Sequence, residues 1–225
     1  MKRNIITTQD GSKTIRLEEW NEHYHSTHGA LQEAKHVYIK AGLDHFASLH
    51  DVEKLRVLEA GFGSGLNALL ASQWAIQNNI IVDYLGLEAY PITQDEKEAL
   101  DYNKLIDAAN QKTIFDEMHN CKWEQWVKLS PNFKLKKLEL KFSELGLKQV
   151  ADVVFYDAFG PRVQPELWEA SVFERFYEAL KPGGLLVTYS VKGTAKRALQ
   201  GLGFRVEILE GPPGKRHMMR ATKPK

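Results

Sequence analysis

The chain is constrained above all by Val57-Leu58-Glu59-Ala60-Gly61-Phe62-Gly63-Ser64-Gly65-Leu66, an apolar strand that runs into three alternating glycines and then a helix-like run from Asn67 to Ile76. Such a junction brings the carboxyl end of a buried strand, a tight loop and a helix amino terminus to one point, where backbone N–H groups are free for a ligand. Glycines at Gly61, Gly63 and Gly65 remove the Cβ atoms that would hold an adenosine-type cofactor off the loop. An ordinary strand-to-helix turn can use the same residues, so the downstream segments of the chain decide between the two. Ile80 to Glu88 reads as a second strand that ends in an acid 23 residues beyond Gly65. A carboxylate there can accept hydrogen bonds from both ribose hydroxyls of an adenosine cofactor.

Further strands and helices alternate beyond this unit. Phe133 to Phe142 alternates apolar residues with lysines, as in a half-exposed strand, and Ser143 and Glu144 come next, where an adenine can be contacted. Ala151 to Asp157 is a nearly continuous apolar run closed by an acid, the pattern of a strand buried on both faces. Its acid opens a loop shaped by Gly160, Pro161 and Pro165. Phe173 to Leu180 is an amphipathic helix stopped by Lys181-Pro182-Gly183-Gly184, Gly184 to Ser190 a strand and Lys192 to Leu202 a basic helix. Arg205 to Leu209 and Met218 to Thr222 form a closing strand pair. Ala89 to Asn110 is expected as a loop and an acidic helix, and Phe115 to Leu129 as a helix with Trp123 and Trp126 on one core-facing side. The architecture expected is α/β and Rossmann-like, a mostly parallel, doubly wound, seven-stranded sheet with an antiparallel C-terminal strand pair. Ahead of it, Asp10-Gly11 between β-favouring residues reads as a hairpin, and Leu31, Ala34, Val37, Tyr38 and Ala41 as one face of a helix. Residues 1–50 are thus expected to form a small β-hairpin and helix extension packed on a core domain of residues 51–225.

Composition excludes several classes. Cys121 is the only cysteine, which rules out an intramolecular disulfide and points to a reducing, cytoplasmic home. The chain shows no signal-peptide pattern and no run of 18 apolar residues, so no membrane partner is expected. His23, His25 and His28 lack the cysteines or the spaced histidine pair of a zinc site; no metal is expected, and the segment reads as a substrate-facing or cofactor-covering loop. The net charge of +1 hides a segregation, with residues 51–120 at −7 and residues 181–225 at +8. A basic end on a near-neutral chain can serve as a face for a polyanion.

Glu59-Ala60-Gly61-Phe62-Gly63-Ser64-Gly65, an acid ending the second strand and Leu180-Lys181-Pro182-Gly183-Gly184 resemble the class I S-adenosylmethionine-dependent methyltransferases; Leu66 stands where the dehydrogenase fingerprint has its last glycine. A narrower likeness lies in Tyr156-Asp157-Ala158-Phe159-Gly160-Pro161 with Pro165-Glu166-Leu167-Trp168, and in Tyr189-Ser190-Val191-Lys192-Gly193 ahead of Arg197 to Phe204. These are similar to the MnmD family and to the methyltransferase half of the bifunctional MnmC enzymes, over roughly residues 20–222. The resemblance implies S-adenosyl-L-methionine as cofactor, held by Glu59, Gly61, Gly63, Gly65, Asn67, Glu88 and Asp157. It implies N-methylation of the 5-aminomethyl group of the wobble (2-thio)uridine of tRNA, bound through its anticodon region. Asp157 is then expected to hold the substrate ammonium and orient its lone pair, with Tyr156 and Phe159 stacking on the uracil and Lys192, Lys196, Arg197, Lys215 and Arg216 meeting phosphates. Asp157-Ala158-Phe159 replaces the D-G-F of bifunctional relatives, and the chain ends before their FAD-dependent oxidase domain, so the aminomethyl nucleoside itself is the expected substrate. A methyltransferase acting on a small molecule or a protein, and a non-catalytic RNA-binding module, are the alternatives.

Overall fold

The computed structural model describes residues 2–102 and 112–225. Strands β1 (Arg3–Thr7), β2 (Lys13–Leu17) and β3 (Glu22–His23) form a small antiparallel sheet, with the turn at Asp10-Gly11 where the sequence predicts it. The next helical run, α1, is α-helical over Ala30–Ala34, π-helical over Lys35–Asp44 and α-helical again over His45–Leu49. Then come β4 (Lys54–Ala60), α2 (Leu66–Asn78), β5 (Ile81–Leu87) and α3 (Gln94–Leu100). The second half holds α4 (Lys112–Asn120), β6 (Val127–Ser130), β7 (Phe133–Leu138), β8 (Ala151–Tyr156), α5 (Ala170–Ala179), β9 (Leu180–Thr188), α6 (Gly193–Gly201), β10 (Arg205–Glu210) and β11 (His217–Thr222). Of the loop and helix expected over Ala89 to Asn110, the helix begins at Gln94 under a Thr93 capping box, while residues 103–110 lie outside the described residues.

The main sheet has the order β10-β11-β9-β8-β4-β5-β7-β6. Its five central strands are parallel, and β10 with β11 closes one edge antiparallel, as the sequence predicts. From β4 the chain winds outward through β5 to β7, then returns to β8 and winds the other way, so the order reverses between β4 and β8. In such sheets ligands bind outside the carboxyl ends of the strands at that reversal. An eighth strand, β6, adds to the seven expected. It occupies residues read from sequence as the end of a helix: α4 stops at Asn120, and Glu124 takes a left-handed φ of 61° that no helix continues through. Trp126 is consequently exposed with the Arg56 guanidinium over its ring, and Trp123 meets the Lys137 ammonium. Among the described residues no helix is long and apolar enough to cross a membrane.

Two apolar layers flank the sheet. Leu58, Val154 and Leu186 face Phe173, Phe176 and Leu199 of α5 and α6. Val57, Phe155 and Val187 face the other way, onto a layer that includes Val37, Tyr38 and Leu43 of α1 and Leu69 and Trp74 of α2. Alternation along each strand sends successive side chains to opposite layers. The α1 helix lies close on the sheet at Gly42, where an added β-carbon would stand 3.2 Å from both Phe155 and Val187. Gly42→Val should therefore overpack this contact and lower stability by about 1–3 kcal/mol in urea unfolding.

Candidate functional site

At the reversal point, β4 and β8 approach so closely that glycine is required. Gly61 has φ +89°, and a β-carbon there would lie 2.7 Å from the Asp157 carbonyl oxygen. The Asp157 N–H donates to the Ala60 carbonyl at 3.0 Å, and the Gly61 and Phe62 N–H groups both donate to the Leu87 carbonyl. The ends of β4, β5 and β8 are thereby sewn together around the loop. Glu88 completes the seam, since one of its oxygens accepts from the Gly63 N–H at 2.9 Å and the other from the Tyr90 N–H at 2.8 Å. Both oxygens keep a further lone pair.

A cavity of about 1010 Å³ opens here, at the upper end of the range for small-molecule clefts. Its walls are Gly61, Phe62, Gly63, Ser64 and Asn67 from the loop and α2, Glu88 to Tyr90 after β5, Phe142 and Ser143 after β7, and Asp157 to Phe159 after β8. The N-terminal strands supply another wall with Arg3, Leu17, Trp20, His23 and Tyr24. They are fastened down. Arg3 donates to the carbonyls of Tyr90 and Pro91 and ion-pairs with Glu96 at 3.2 Å, while His25 lies between Thr14 and the Ser64 hydroxyl. Phe159 meets Trp20 and Tyr24 edge to face, with ring centroids 5.8 and 5.1 Å away.

The charged centre of the site is a hydrogen-bonded chain. The Asn67 amide, in the first turn of α2, donates to Glu59 Oε1 at 2.9 Å and to Asp157 Oδ2 at 2.8 Å. The Tyr38 hydroxyl donates to Asp157 Oδ1 at 2.7 Å. Burial pushes the Glu59 carboxyl well above the usual range, against the opposing effect of the Asn67 bond. Burial also raises Asp157, to about 6, with the Tyr38 and Asn67 bonds pulling it back and Glu33 and Lys215 acting in opposite senses. Two neighbouring acids are thus pushed up to different extents, Glu59 enclosed and Asp157 open to the cavity.

The sequence-predicted residues separate into four groups. Gly61, Gly63, Asn67, Glu88, Asp157 and Phe159 line the cavity. Gly65, with φ +77°, starts α2 behind it, and Glu59 is fully buried beneath the loop and reaches the cavity only through Asn67. Tyr156 is a correction: it does not face a substrate. Strand alternation turns it into the layer under α5, where it is fully buried among Trp168, Phe173 and Phe176 and its hydroxyl donates to the Leu167 carbonyl. None of the five cations lines the cavity. Lys192 reaches the Pro161 carbonyl, Arg197 and Arg216 are exposed and Lys196 half-buried. Lys215 ion-pairs with buried Glu33 and lies 3.8 Å from the centre of the Tyr189 ring. Sequence reasoning missed Tyr38, counted only as part of an apolar stripe, and Arg3 and Trp20, whose partners are distant in sequence. The three clustered histidines diverge: His23 and His25 line the cavity, His25 also bonding to Thr14 and Ser64, while His28 bonds to Gln9.

Comparison with known proteins accords with this geometry. Residues 111–224 match the family model described as S-adenosyl-L-methionine-dependent methyltransferase. Among curated proteins, the bifunctional tRNA 5-methylaminomethyl-2-thiouridine biosynthesis protein MnmC of Aromatoleum aromaticum is 31% identical over 208 residues, which cover 88% of this chain and 32% of that protein. Its counterpart in Delftia acidovorans is 28% identical over 214 residues, 90% of this chain and 32% of that protein. The chain thus spans about a third of the length of these relatives. Among solved structures, MnmC2 from Aquifex aeolicus superposes with a TM-score of 0.75 at 24% identity, over 100% of this chain and 72% of that one. Spermidine synthase from Thermotoga maritima shares the fold at a TM-score of 0.58 and 17% identity, over 98% and 69% of the two chains.

Behind the loop, the His119 ring bonds to the Ser64 carbonyl at 3.1 Å, and burial lowers it from 6.5 to about 4. A base depressed in the folded state stabilises above its unfolded value and loses that contribution as the pH falls towards the folded one. Relative to His119→Gln, the wild type should lose stability progressively between about pH 6.5 and 4 in a series of urea melts.

Proposed function

The chain belongs to the S-adenosyl-L-methionine-dependent methyltransferase family, and we propose that it methylates the 5-aminomethyl group of wobble (2-thio)uridine in tRNA, in the cytoplasm, giving 5-methylaminomethyl-(2-thio)uridine. The observation that carries this reading is Asp157: a carboxylate at the mouth of β8, beside the glycine loop, whose two oxygens are each held by a neutral donor. An amine acceptor needs such a group. The MnmC relatives, proteins of tRNA 5-methylaminomethyl-2-thiouridine biosynthesis, support the choice of nucleoside.

The residues present fit the cofactor. Gly61 and Gly63 leave the loop bare, Glu88 has lone pairs free for two ribose hydroxyls, and Asn67 Oδ1 is a buried acceptor with no partner of its own at the cavity wall. When bound, S-adenosylmethionine supplies a methyl group activated by a sulfonium. Glu59 acts from beneath by orienting Asn67. Ser143 stands at the adenine side, and Phe159 with Trp20 gives the acceptor base an aromatic wall in a cavity large enough for both molecules.

Only the neutral amine has a lone pair for in-line attack, and an alkylamine with a pKa of about 10 is mostly protonated near neutrality. Asp157, titrating at about 6, is too weak a base to take that proton outright. Its carboxylate instead binds the ammonium, orients the nitrogen as the proton leaves to solvent, and stays beside it. Methyl transfer from a sulfonium would leave the acceptor nitrogen carrying positive charge beside Asp157. A fixed carboxylate next to nitrogen stabilises the transition state more than the ground state of the neutral amine. Exposed Lys192, Arg197 and Arg216, with half-buried Lys196, give the anticodon region cations outside the cavity.

Nucleoside mass spectrometry of tRNA carrying 5-aminomethyl-2-thiouridine, before and after incubation with enzyme and cofactor, should show a gain of one methyl; an unchanged nucleoside sinks the reading. Asp157→Asn should reduce turnover by roughly 10²- to 10³-fold. In the wild type, log kcat/KM against pH should rise with a slope of about two below pH 6 and about one above it, and the break should vanish in Asp157→Asn. Glu88→Ala should raise the cofactor dissociation constant by roughly ten- to a hundredfold in calorimetry.

A further inference from the structure

We infer that Tyr38 is a positioning residue for the methyl acceptor, its hydroxyl fixing the Asp157 carboxylate so that the remaining lone pairs point into the cavity. The inference rests on the proposed role of Asp157 and deepens it. Tyr38 is 2% exposed, in a largely apolar layer whose other buried tyrosines are Tyr84 and Tyr102. A phenylalanine would fill the same space against Phe155, whose ring centroid lies 5.2 Å away. The hydroxyl is thus the part of the side chain that packing does not explain. Enclosing it costs free energy unless it finds a partner, and its partner is Asp157 Oδ1 at 2.7 Å.

Helix geometry gives an independent observation. Tyr38 lies within the π-helical turns of Lys35–Asp44, between two α-helical segments. Wide turns of this kind are rare and frequently occur at functional sites. Here they occur where α1 lies tight against the sheet at Gly42 and delivers a side chain to the carboxyl end of β8.

The chemical type of the donor also matters. Tyr38 and Asn67 are both neutral donors, so they hold the carboxylate without cancelling the charge that a substrate ammonium needs. Burial and the adjacent Asp157 keep the phenol protonated, so it remains a donor at every working pH. The charged or titratable groups facing Asp157 from the surrounding elements are Glu33 of α1, Glu59 of β4, Tyr84 of β5, Tyr189 after β9 and Lys215 of the β10–β11 loop. Lys215, the cation among them, is ion-paired with Glu33. Tyr38 therefore sets both the direction of the carboxylate and its readiness to ionise, because a hydrogen bond to the charged form favours that form.

The test is Tyr38→Phe, assayed on tRNA carrying 5-aminomethyl-2-thiouridine across pH 4.5–9, beside wild type and Asp157→Asn. The low-pH break in log kcat/KM should move up by about half to one unit. Turnover should fall several-fold more at pH 5 than at pH 8, while cofactor affinity by calorimetry stays within about twofold of wild type. A purely structural role would lower stability and leave the break in place. An unmoved break in Tyr38→Phe, with the break lost in Asp157→Asn, overturns the inference about Tyr38 alone. If Asp157→Asn keeps both the break and wild-type turnover, the role of Asp157 fails and that of Tyr38 with it.

Discussion

The Asn67 amide spends both of its N–H bonds on carboxyl groups, one on Glu59 below the glycine loop and one on Asp157 across from it. Much of the molecule can be understood as what is needed to place that amide. The left-handed Gly65 starts α2 one residue before Leu66, so Asn67 falls in the first turn; Gly61 lets β4 and β8 close to the distance that one side chain can span. Hydrogen bonds to charged groups are each worth about 1.5–3 kcal/mol, and a buried acid left without one costs more than the bond itself contributes. Without Asn67, Glu59 and Asp157 would be two acids facing a low-dielectric interior with no shared donor. The loop, the helix start and the Asp157 carboxylate are for this reason one unit.

Much of that unit was legible in the sequence, for physical reasons that differ from residue to residue. The place of Gly61, Gly63 and Glu88 at the cavity is readable because a glycine loop and the acid at the next strand end lie within some thirty residues of each other. The strand that runs into Asp157 is readable because burial on both faces leaves Asp152 as its one charged position. The closing strand pair follows from its turn residues. The small hairpin at Asp10-Gly11 was found in the same way, from local φ preferences alone.

What escaped depends on contacts that the chain makes with itself at long range. Tyr156 and Asp157 are neighbours in sequence, but strand pleating sends one into the apolar layer and leaves the other at the sheet edge, so adjacency to the acid was no guide to function. Tyr38 reads as one more member of an apolar helix face until the helix is seen to reach Asp157, 119 residues further on. The tryptophans at 123 and 126 have helical spacing, yet a left-handed Glu124 between them ends any helix. Lys215, counted as a free cation on a basic segment, is bound to a buried glutamate. Charge counted along a chain does not distinguish a lysine that faces solvent from one already engaged.

The attachment of the N-terminal strands has a consequence for assembly. Arg3 finds its partners at Tyr90, Pro91 and Glu96, 87 to 93 residues away, while β1 pairs in the sheet only with β2, a few residues distant. Strands β1 and β2 can pair with each other as soon as both have left the ribosome, but the groups that hold Arg3 do not exist until β5 and α3 have been made. Loop closure over such a span slows docking, because its entropic cost falls due before the contacts form. The cavity wall carrying Trp20 and Tyr24 can therefore form locally before it has anything to dock against, and enclosing a ligand waits on that docking.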